Sequence, residues 1–428
     1  MSKPAIALAV FSSVTILTVW QYTEFLNGIA KIVCLALFFI FGIIPLTFKY
    51  SYTFQRSMLF LPFVRWPRNV DFDKPEKLGL HGARNFYVTS SKGIRLGAWH
   101  ILPQSMVKES ESTSIPKEEF FEQALSRGQP VVLYMHGNSG SRAGLHRVEL
   151  YHVLQKLDYH IIAFDYRSYG DSSSVAPSEN GVVDDGVCMY NWTKQRTGKA
   201  PLFVWGHSLG TGISAHVLAQ LTRLQMDVRS EDGQQMYIPK ALVLESPFNN
   251  LRDEIQDHPL AQEHPNLCLI LYTLMPKSED GQQILPKALV LECPFNNIRD
   301  QIQELPLFKF FTWMPWFSAF FLDPVKQNGL VFETDVHVKS IPIPIIILHA
   351  EDDAVVPYKL GRKLYHTAVL SRSPADPPVM FAKFDGSHGF GHKYICRSPE
   401  LPSIVSKFFS DSLKLGNASE GSTPFNHQ

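Results

Sequence analysis

The feature that most constrains this 428-residue chain is a series of short apolar runs separated by segments with helical spacing. An uninterrupted apolar run of about four to eight residues is typical of a strand buried on both faces, as in a parallel sheet covered by helices. Such strands are predicted at 131–135, 161–164, 202–205, 241–244 and 344–348, a half-buried strand with alternating pattern at 95–101, and helices at 143–157 and 181–193. This alternation predicts an α/β domain with a mostly parallel central sheet and helices on both faces.

Charge and cysteine content exclude several classes of protein. Lys plus Arg and Asp plus Glu both number 40, so the formal net charge is zero and a nucleic-acid binder is not expected. The five cysteines form no Cys-x-x-Cys pair, so neither a zinc cluster nor a disulfide framework is predicted. They are Cys34, Cys188, Cys268, Cys293 and Cys396. We expect the chain to need no metal and no cofactor.

The N-terminal region contains a stretch apolar enough to cross a membrane. Residues 32–48 carry no charge, and with 28–31 they match the ~30 Å thickness of a bilayer core as a helix. We predict a transmembrane anchor at 29–48, preceded by an N-terminal segment, 1–28. A buried helix is the alternative. The weaker apolar stretch at 5–20 fits a signal-peptide core, a first span or an interfacial helix.

The basic residues around this stretch carry an orientation signal. Lys49, Arg56, Arg65 and Arg68 follow the predicted anchor, whereas Lys3 and Lys31 precede it. Because cytoplasmic flanks are enriched in Lys and Arg, this count by itself predicts a cytosolic C-terminal domain.

A nucleophile motif follows the predicted strand at 202–205. Residues 206–210 read Gly-His-Ser-Leu-Gly and lead into a helical segment. In a strand–turn–helix context this pattern lifts the serine hydroxyl above the sheet, and the two glycines allow the backbone to turn sharply. We therefore predict that Ser208 is a nucleophile and that residues 70–414 form an α/β-hydrolase fold.

A nucleophilic serine needs an acid and a base, which follow it in this order in that fold. Three acids, Glu351, Asp352 and Asp353, follow the strand at 344–348. Asp353 is favoured because it precedes the Val-Val-Pro that begins the next helix, and Asp352 is the alternative. Two histidines in a glycine-rich loop, His388 and His392, compete as the base, and residue chemistry does not choose between them.

The oxyanion hole needs two backbone donors. The N–H of Leu209 is the first predicted donor. The second is expected from Asn138, in the glycine-rich loop at 136–140 that follows a buried strand. No Gly-Lys-Ser/Thr follows that loop, so a phosphate cradle is not indicated, and no His-Glu-x-x-His occurs.

The chain contains an internal duplication within 231–307. Residues 231–260 closely resemble 279–307, and each copy contains one predicted strand followed by Glu, at Glu245 and Glu292. We favour two mutually exclusive exons translated in tandem. The alternatives are an insertion that forms cap material and an extra strand in the sheet. Both glutamates are interpreted as structural.

An aromatic-rich segment lies between the serine half and the acid–base half of the chain. We interpret residues 306–335 as a helical cap, which either lines an acyl-chain site or packs its own helices, and 415–428 as a flexible tail. The aromatic residues are Phe308, Phe310, Phe311, Trp313, Trp316, Phe317, Phe320 and Phe321.

Together these segments resemble a known family. The stretches are HGNSGSRAG-HRVELY, FDYRSYGDS, NWTKQRTG, WGHSLGTG, ALVLESPFNN, FFLDP, LHAEDDAVVP-LGRKLY and GHKYICRSPELP. Over roughly residues 50–410 the chain resembles the α/β-hydrolase-domain-12 lipases, although the long basic N-terminal region of that family is absent. The resemblance implies Ser208 as nucleophile and Asp353 as acid. It also implies His392, rather than His388, as base.

The resemblance also implies a substrate and a location. It implies a serine hydrolase that cleaves monoacyl lipids, namely lysophosphatidylserine, other lysophospholipids and monoacylglycerol. It further implies a single-pass protein of the endoplasmic reticulum with a luminal catalytic domain, an orientation that we follow over the charge count. Two sequons, at Asn191 and Asn417, then permit glycosylation. The alternatives are an inactive membrane-bound binding protein and an acyl-protein thioesterase.

Overall fold

The structure is a computed structural model that describes residues 3–231 and 285–420. The described residues divide into two compact units. One contains residues of Met1–Gln55 and Trp313–Asn328, and the other contains residues of Arg56–Thr312 and Gly329–Gln428.

The first unit is helical and contains the apolar N-terminal stretch. Helix α1 (Lys3–Phe38) continues through a π-helical turn at Phe39–Ile43 into α2 (Ile44–Tyr50). Within the described residues, Trp20–Tyr50 is the one helical stretch long and apolar enough to cross a membrane, with a mean hydropathy of 2.6. This candidate span begins before the 29–48 predicted from the sequence.

Part of the predicted cap belongs to this first unit. Residues 313–328 contain a π-helical turn, Ser318–Leu322, and helix Asp323–Gln327. The ring of Phe321 packs against Phe48 with centroids 5.2 Å apart. Asn328 Nδ2 donates a hydrogen bond of 2.8 Å to Gln55 Oε1. Phe321 therefore packs on α2, at the C-terminal end of the apolar helix.

The second unit contains one eight-stranded sheet. Its strands are β1 (Ala83–Thr89), β2 (Arg95–Ile101), β3 (Val131–Met135), β4 (His160–Phe164), β5 (Leu202–His207), β6 (Ala288–Glu292), β7 (Ile345–Ala350) and β8 (Val379–Phe384). The strand order is β1-β2-β4-β3-β5-β6-β7-β8. β2 pairs antiparallel with both β1 and β4, and every other neighbouring pair is parallel. The predicted mostly parallel sheet is confirmed.

Helices alternate with the strands along the described chain. Numbered on from the first two, they are α3 (Tyr52–Phe60), α4 (Gln104–Ser112), α5 (Lys117–Ala124), α6 (Leu145–Lys156), α7 (Glu179–Thr197), α8 (Leu209–Glu231), α9 (Ile298–Glu304), α10 (Pro306–Lys309), α11 (Asp323–Gln327, in the first unit), α12 (Thr334–His337), α13 (Tyr358–Leu370) and α14 (Leu401–Glu420). Side chains of α6 and α14 join one core cluster with the strands. The ring of Phe409, for example, stacks on Phe203 at 3.8 Å.

The duplicated segment contributes one strand to the sheet. β6 belongs to the second copy, and it pairs with β5 through Val204 and Leu289 and with β7 through Val290 and Ile346. The predicted strand at 241–244, in the first copy, lies outside the described residues. The position between β5 and β7 is therefore filled by the second copy, the one that contains Cys293.

Candidate active site

The turn after β5 holds Ser208 in an uncommon backbone conformation. Its φ is 52°, in the left-handed region that residues with a β-carbon rarely adopt. The Ser208 N–H donates to the Glu292 carbonyl at 3.0 Å, and the Ser208 carbonyl accepts from Thr211 N–H at 2.9 Å. The turn is therefore fixed from β6 on one side and from α8 on the other, as expected of a nucleophile elbow.

Close backbone approach explains the two glycines of the motif. A β-carbon on Gly206 would collide with the Gly210 carbonyl oxygen and with Ser214 Oγ. A β-carbon on Gly210 would collide with the carbonyl oxygen of Met135, at the end of β3. Carbonyl groups held in a sheet and a helix cannot move aside cheaply, so both positions require glycine.

The loops that follow β7 and β8 bring one acid and one histidine together. His392 Nδ1 lies 2.7 Å from Asp353 Oδ2. The other carboxylate oxygen, Oδ1, accepts from the N–H groups of Val355 at 2.9 Å and Val356 at 2.8 Å. A carboxylate can only accept, so Nδ1 of His392 carries the proton and its Nε2 is left free to act as a base.

The environment keeps Asp353 ionised. Burial of its carboxyl group opposes ionisation, but hydrogen bonds with His349 and His392 outweigh this cost and lower its pKa well below the ordinary value. The carboxylate is therefore charged throughout the neutral range and can stabilise a positive charge on the imidazole of His392.

The competing residues lie elsewhere. Asp352 Oδ2 accepts from the Gly391 N–H at 2.9 Å, which helps to hold the loop that carries His392. His388 is exposed and stacks on Phe390 with ring centroids 5.3 Å apart. The structure thus brings Asp353 and His392 together, and it places Asp352 and His388 outside that pair.

The loop of His392 is tied to the nucleophile turn. His207, directly before Ser208, donates from Nε2 to the His392 carbonyl at 2.9 Å, and the two rings lie 5.1 Å apart. Burial, together with the neighbouring His392, lowers the pKa of His207 and keeps its imidazole neutral. Within the described residues no hydrogen bond joins Ser208 Oγ to His392, a contact that often tightens only with substrate bound.

The loop at 136–140, which we call the oxyanion loop, follows β3 and lies against Ser208. A β-carbon on Gly137 would lie 3.0 Å from Ser208 Cβ. The N–H groups of Ser139 and Gly140 donate to the carbonyls of Phe60 (3.4 Å) and Val64 (2.8 Å).

Two backbone N–H groups of the oxyanion loop remain unpaired in the part of the chain that the structure describes. Within the described residues, the N–H groups of Gly137 and Asn138 have no hydrogen-bond partner. The N–H of Leu209, in the first turn of α8, has no partner in its own helix either. These unpaired donors include both predicted oxyanion donors, Leu209 and Asn138.

Arg147, on α6, orients this loop, and sequence reasoning missed it. Its buried guanidinium donates to the carbonyls of Gly137 at 3.1 Å, Asn138 at 3.4 Å and Ser139 at 3.0 Å, and also to the carbonyl of Ser141. Because its carbonyl groups point towards Arg147, the loop can direct its N–H groups away from Arg147. In the sequence Arg147 is an ordinary helical arginine, and only its place in the HRVELY stretch marked it.

Two further buried groups lie beside the pair. Glu292 accepts a hydrogen bond of 2.9 Å from Trp205 Nε1, and burial raises the pKa of its carboxyl group to about 7. Potential ligand atoms of Cys293, Asp353 and His392 lie within 4.8 Å of one another. Asp353 and His392 share a hydrogen bond, and burial raises the pKa of the Cys293 thiol beside them.

Fold and site together define an α/β hydrolase. The family model described as "alpha/beta hydrolase fold" matches residues 130–226. The crystal structure of an α/β hydrolase from Vibrio vulnificus superposes with a TM-score of 0.51, covering 83% of this chain and 94% of that chain at 16% identity. At that identity the likeness concerns the fold alone, and it confirms the predicted fold class.

Sequence relatives narrow the class to one family. The lysophosphatidylserine lipase ABHD12 of Danio rerio is 37% identical over 365 residues, covering 85% of this chain and 79% of that protein. The Bos taurus protein of the same name is 37% identical over 88% of this chain and 80% of its own length. The human protein ABHD12B is 30% identical over 82% of this chain and 79% of that protein. The chain belongs to the ABHD12 family and is a carboxylic ester hydrolase, as the resemblance predicted.

Proposed function

We propose that this chain hydrolyses the acyl ester of monoacyl lipids through an acyl-enzyme on Ser208. Its substrates are lysophosphatidylserine, other lysophospholipids and monoacylglycerol. The observation that carries the proposal is the 2.7 Å hydrogen bond between Asp353 and His392, on a loop tied by a backbone carbonyl to the turn of Ser208. The names of the relatives, lysophosphatidylserine lipases, support the substrate class.

Acylation begins when His392 Nε2 takes the proton of Ser208 Oγ as the oxygen attacks the ester carbonyl. The carbonyl oxygen becomes an oxyanion that accepts hydrogen bonds from the N–H groups of Leu209 and Asn138. A single donor of this kind contributes about 3 kcal/mol to transition-state stabilisation. His392 then gives its proton to the departing alcohol, which is the lysolipid backbone or glycerol, and the fatty acyl group remains on Ser208.

Deacylation repeats the sequence with water as the nucleophile. His392 takes a proton from water, the hydroxide attacks the acyl carbonyl, and the Ser208 oxygen leaves with that proton while the fatty acid is released. Asp353 stays ionised throughout, fixes the tautomer of His392 and stabilises its cation. The proposed steps use no metal and no cofactor.

A membrane location suits such a substrate. We propose that the helix Trp20–Tyr50 anchors the chain in the endoplasmic reticulum membrane and that the catalytic domain is luminal. A luminal domain exposes the sequons at Asn191 and Asn417 to glycosylation. Endoglycosidase H should then increase the mobility of the full-length protein from cells, and Asn191→Gln with Asn417→Gln should abolish that shift. A chain without any glycan would contradict the luminal placement.

The activity is tested with the full-length protein in detergent micelles. Wild type should release fatty acid from lysophosphatidylserine, and Ser208→Ala should lower kcat by at least a thousandfold. Ser412→Ala is the matched control, because Ser412 is equally buried but lies on α14 and donates to the Phe408 carbonyl at 2.7 Å. A wild type that binds lysophosphatidylserine without hydrolysing it, or a fully active Ser208→Ala, would refute the proposal.

A further inference from the structure

The segment between the apolar helix and the sheet presents large apolar side chains to the surroundings. Residues 61–68, which we call the juxtamembrane loop, read Leu-Pro-Phe-Val-Arg-Trp-Pro-Arg. Phe63 is 66% exposed, Val64 40% and Trp66 69%. Aromatic side chains of this kind, Trp above all, are enriched where proteins meet the membrane–water interface.

The charge of this segment is uniformly positive. Arg65 and Arg68 are exposed, and within the described residues neither forms an ion pair with a carboxylate. No acidic residue occurs between Glu24 and Asp71. Unpaired arginines beside exposed aromatic rings complement an anionic lipid surface, which attracts basic residues near its headgroups.

Chain length keeps the juxtamembrane loop close to the bilayer. The candidate span ends at Tyr50, so only residues 51–60 separate it from the loop. Even fully extended, ten residues reach no more than about 35 Å.

The same loop is bonded to the oxyanion loop. Val64 accepts from Gly140 N–H at 2.8 Å, and Leu59, just before the loop, accepts from Asn138 Nδ2 at 3.2 Å. A β-carbon on Gly140, whose φ is +64°, would lie 2.8 Å from the Trp66 carbonyl oxygen. The backbones of the juxtamembrane loop and the oxyanion loop are therefore in direct contact. A surface that binds the juxtamembrane loop also fixes the position of the oxyanion loop.

We propose that the juxtamembrane loop docks on the leaflet that faces the catalytic domain, where Arg65 and Arg68 meet anionic headgroups and Phe63 and Trp66 insert among them. Docking presents the oxyanion loop and Ser208 to that surface, so a monoacyl lipid reaches the site from the bilayer rather than from water. This inference rests on the proposed lipid esterase function.

Insertion is measured on the full-length chain in nanodiscs of phosphatidylcholine and phosphatidylserine. A fluorescent amino acid at position 63 should be quenched by lipids that carry a nitroxide near the headgroup. The matched position is Leu370, which is 85% exposed. It lies at the end of α13 that leads into β8, and therefore at the N-terminal ends of the parallel strands, opposite to the ends that carry Ser208. A probe there should remain unquenched. Equal quenching at both positions, or a probe at 63 shielded without quenching, as under a protein partner, would overturn the proposal.

Activity gives the second measurement. Phe63→Ser with Trp66→Ser should lower kcat/KM for lysophosphatidylserine in nanodiscs roughly tenfold, since each inserted aromatic contributes on the order of a factor of ten or less. Hydrolysis of a water-soluble short-chain ester should change less than about twofold, and Leu370→Ser should leave both unchanged. Arg65→Gln with Arg68→Gln should also lower kcat/KM, but in anionic nanodiscs only and by about fivefold per arginine.

The two proposals fail in different ways. If wild type hydrolyses neither substrate, the proposed function is wrong. If wild type hydrolyses both and the loop variants match it on the lipid in nanodiscs, the esterase function stands and the docking proposal is wrong.

Discussion

The nucleophile turn and the oxyanion loop lie side by side, but they are held by different means. The turn of Ser208 is made possible by its own neighbours, because Gly206 and Gly210 remove the β-carbons that would prevent it, and β6 adds one backbone hydrogen bond. The oxyanion loop is fixed by distant groups, namely Arg147 on α6 and the carbonyls of Phe60 and Val64. A local sequence motif therefore specifies the first element, whereas the second depends on the assembled fold.

The largest expected effect breaks the local element. Gly210→Ala places a methyl group against the Met135 carbonyl, so either β3 or the turn must move. We expect either that the variant does not fold or that its kcat falls at least a hundredfold, as measured by the yield of folded protein in detergent and by ester hydrolysis.

The control for this variant lies two residues further on. A β-carbon on Gly212 would lie 3.2 Å from the rings of Phe295 and Phe332, and side chains can adjust more easily than a strand. Gly212→Ala should therefore be the milder variant. If Gly210→Ala were as active as Gly212→Ala, the turn would not depend on close backbone approach.

The next effect concerns the distant support of the oxyanion loop. Arg147→Lys keeps the charge but cannot reach several carbonyls at once, so the N–H groups of Gly137 and Asn138 lose their orientation. We expect kcat to fall by roughly ten- to a hundredfold with little change in KM, because the donors act mainly in the transition state. Steady-state kinetics on a soluble ester measures both constants.

Arg84 provides the matched arginine. It is equally buried but bonds to Glu118 and Glu122, from a strand at the far edge of the sheet. Arg84→Lys should lower the melting temperature at most, without a selective loss of kcat. Equal kcat values for the two lysine variants would mean that Arg147 merely supports the fold.

The elements that could be predicted from the sequence are, like the nucleophile turn, encoded by short local patterns. The buried strands β3, β5 and β7 begin as continuous apolar runs. Ser208 directly follows β5, and Asp353 lies three residues after the end of β7. The edge strands β1 and β8 were not predicted, because their side chains are partly exposed and mix polar with apolar residues. The role of Arg147 and the packing of Phe321 on Phe48 depend on contacts between distant segments, which no local pattern encodes.

A smaller effect concerns β6, which supports the Ser208 turn. Burial raises the pKa of the Glu292 carboxyl group from 4.5 to about 7, so the folded state holds a proton that the unfolded state releases at lower pH. The contribution of Glu292 to the free energy of unfolding should therefore be largest below pH ~4.5. It should fall by about 3 kcal/mol as the pH rises to ~7.

Glu292→Gln cannot ionise and should lack this contribution to the pH dependence. Urea unfolding of both proteins at pH 5 and pH 8 measures the difference between them. Parallel pH dependence in wild type and variant would show that Glu292 does not titrate in this range.

The smallest expected effect concerns the duplication. Because the second copy supplies β6, deletion of residues 232–279 joins Glu231 to Asp280 and leaves the described sheet complete. We expect the melting temperature to shift by no more than a few degrees and esterase activity to stay within about threefold of wild type. An aggregated deletion variant would show that the first copy contributes to the folded domain.

The most direct test measures the rate at which Ser208 reacts with a fluorophosphonate in five forms of the full-length chain. Peptide mass spectrometry identifies the residue that carries the adduct. Wild type, His388→Ala and Asp352→Asn should form one adduct on Ser208 at similar rates. His392→Ala and Asp353→Asn should react at least a hundredfold more slowly. An adduct on another residue, or equal rates in the His388 and His392 variants, would contradict the proposed triad of Ser208, Asp353 and His392.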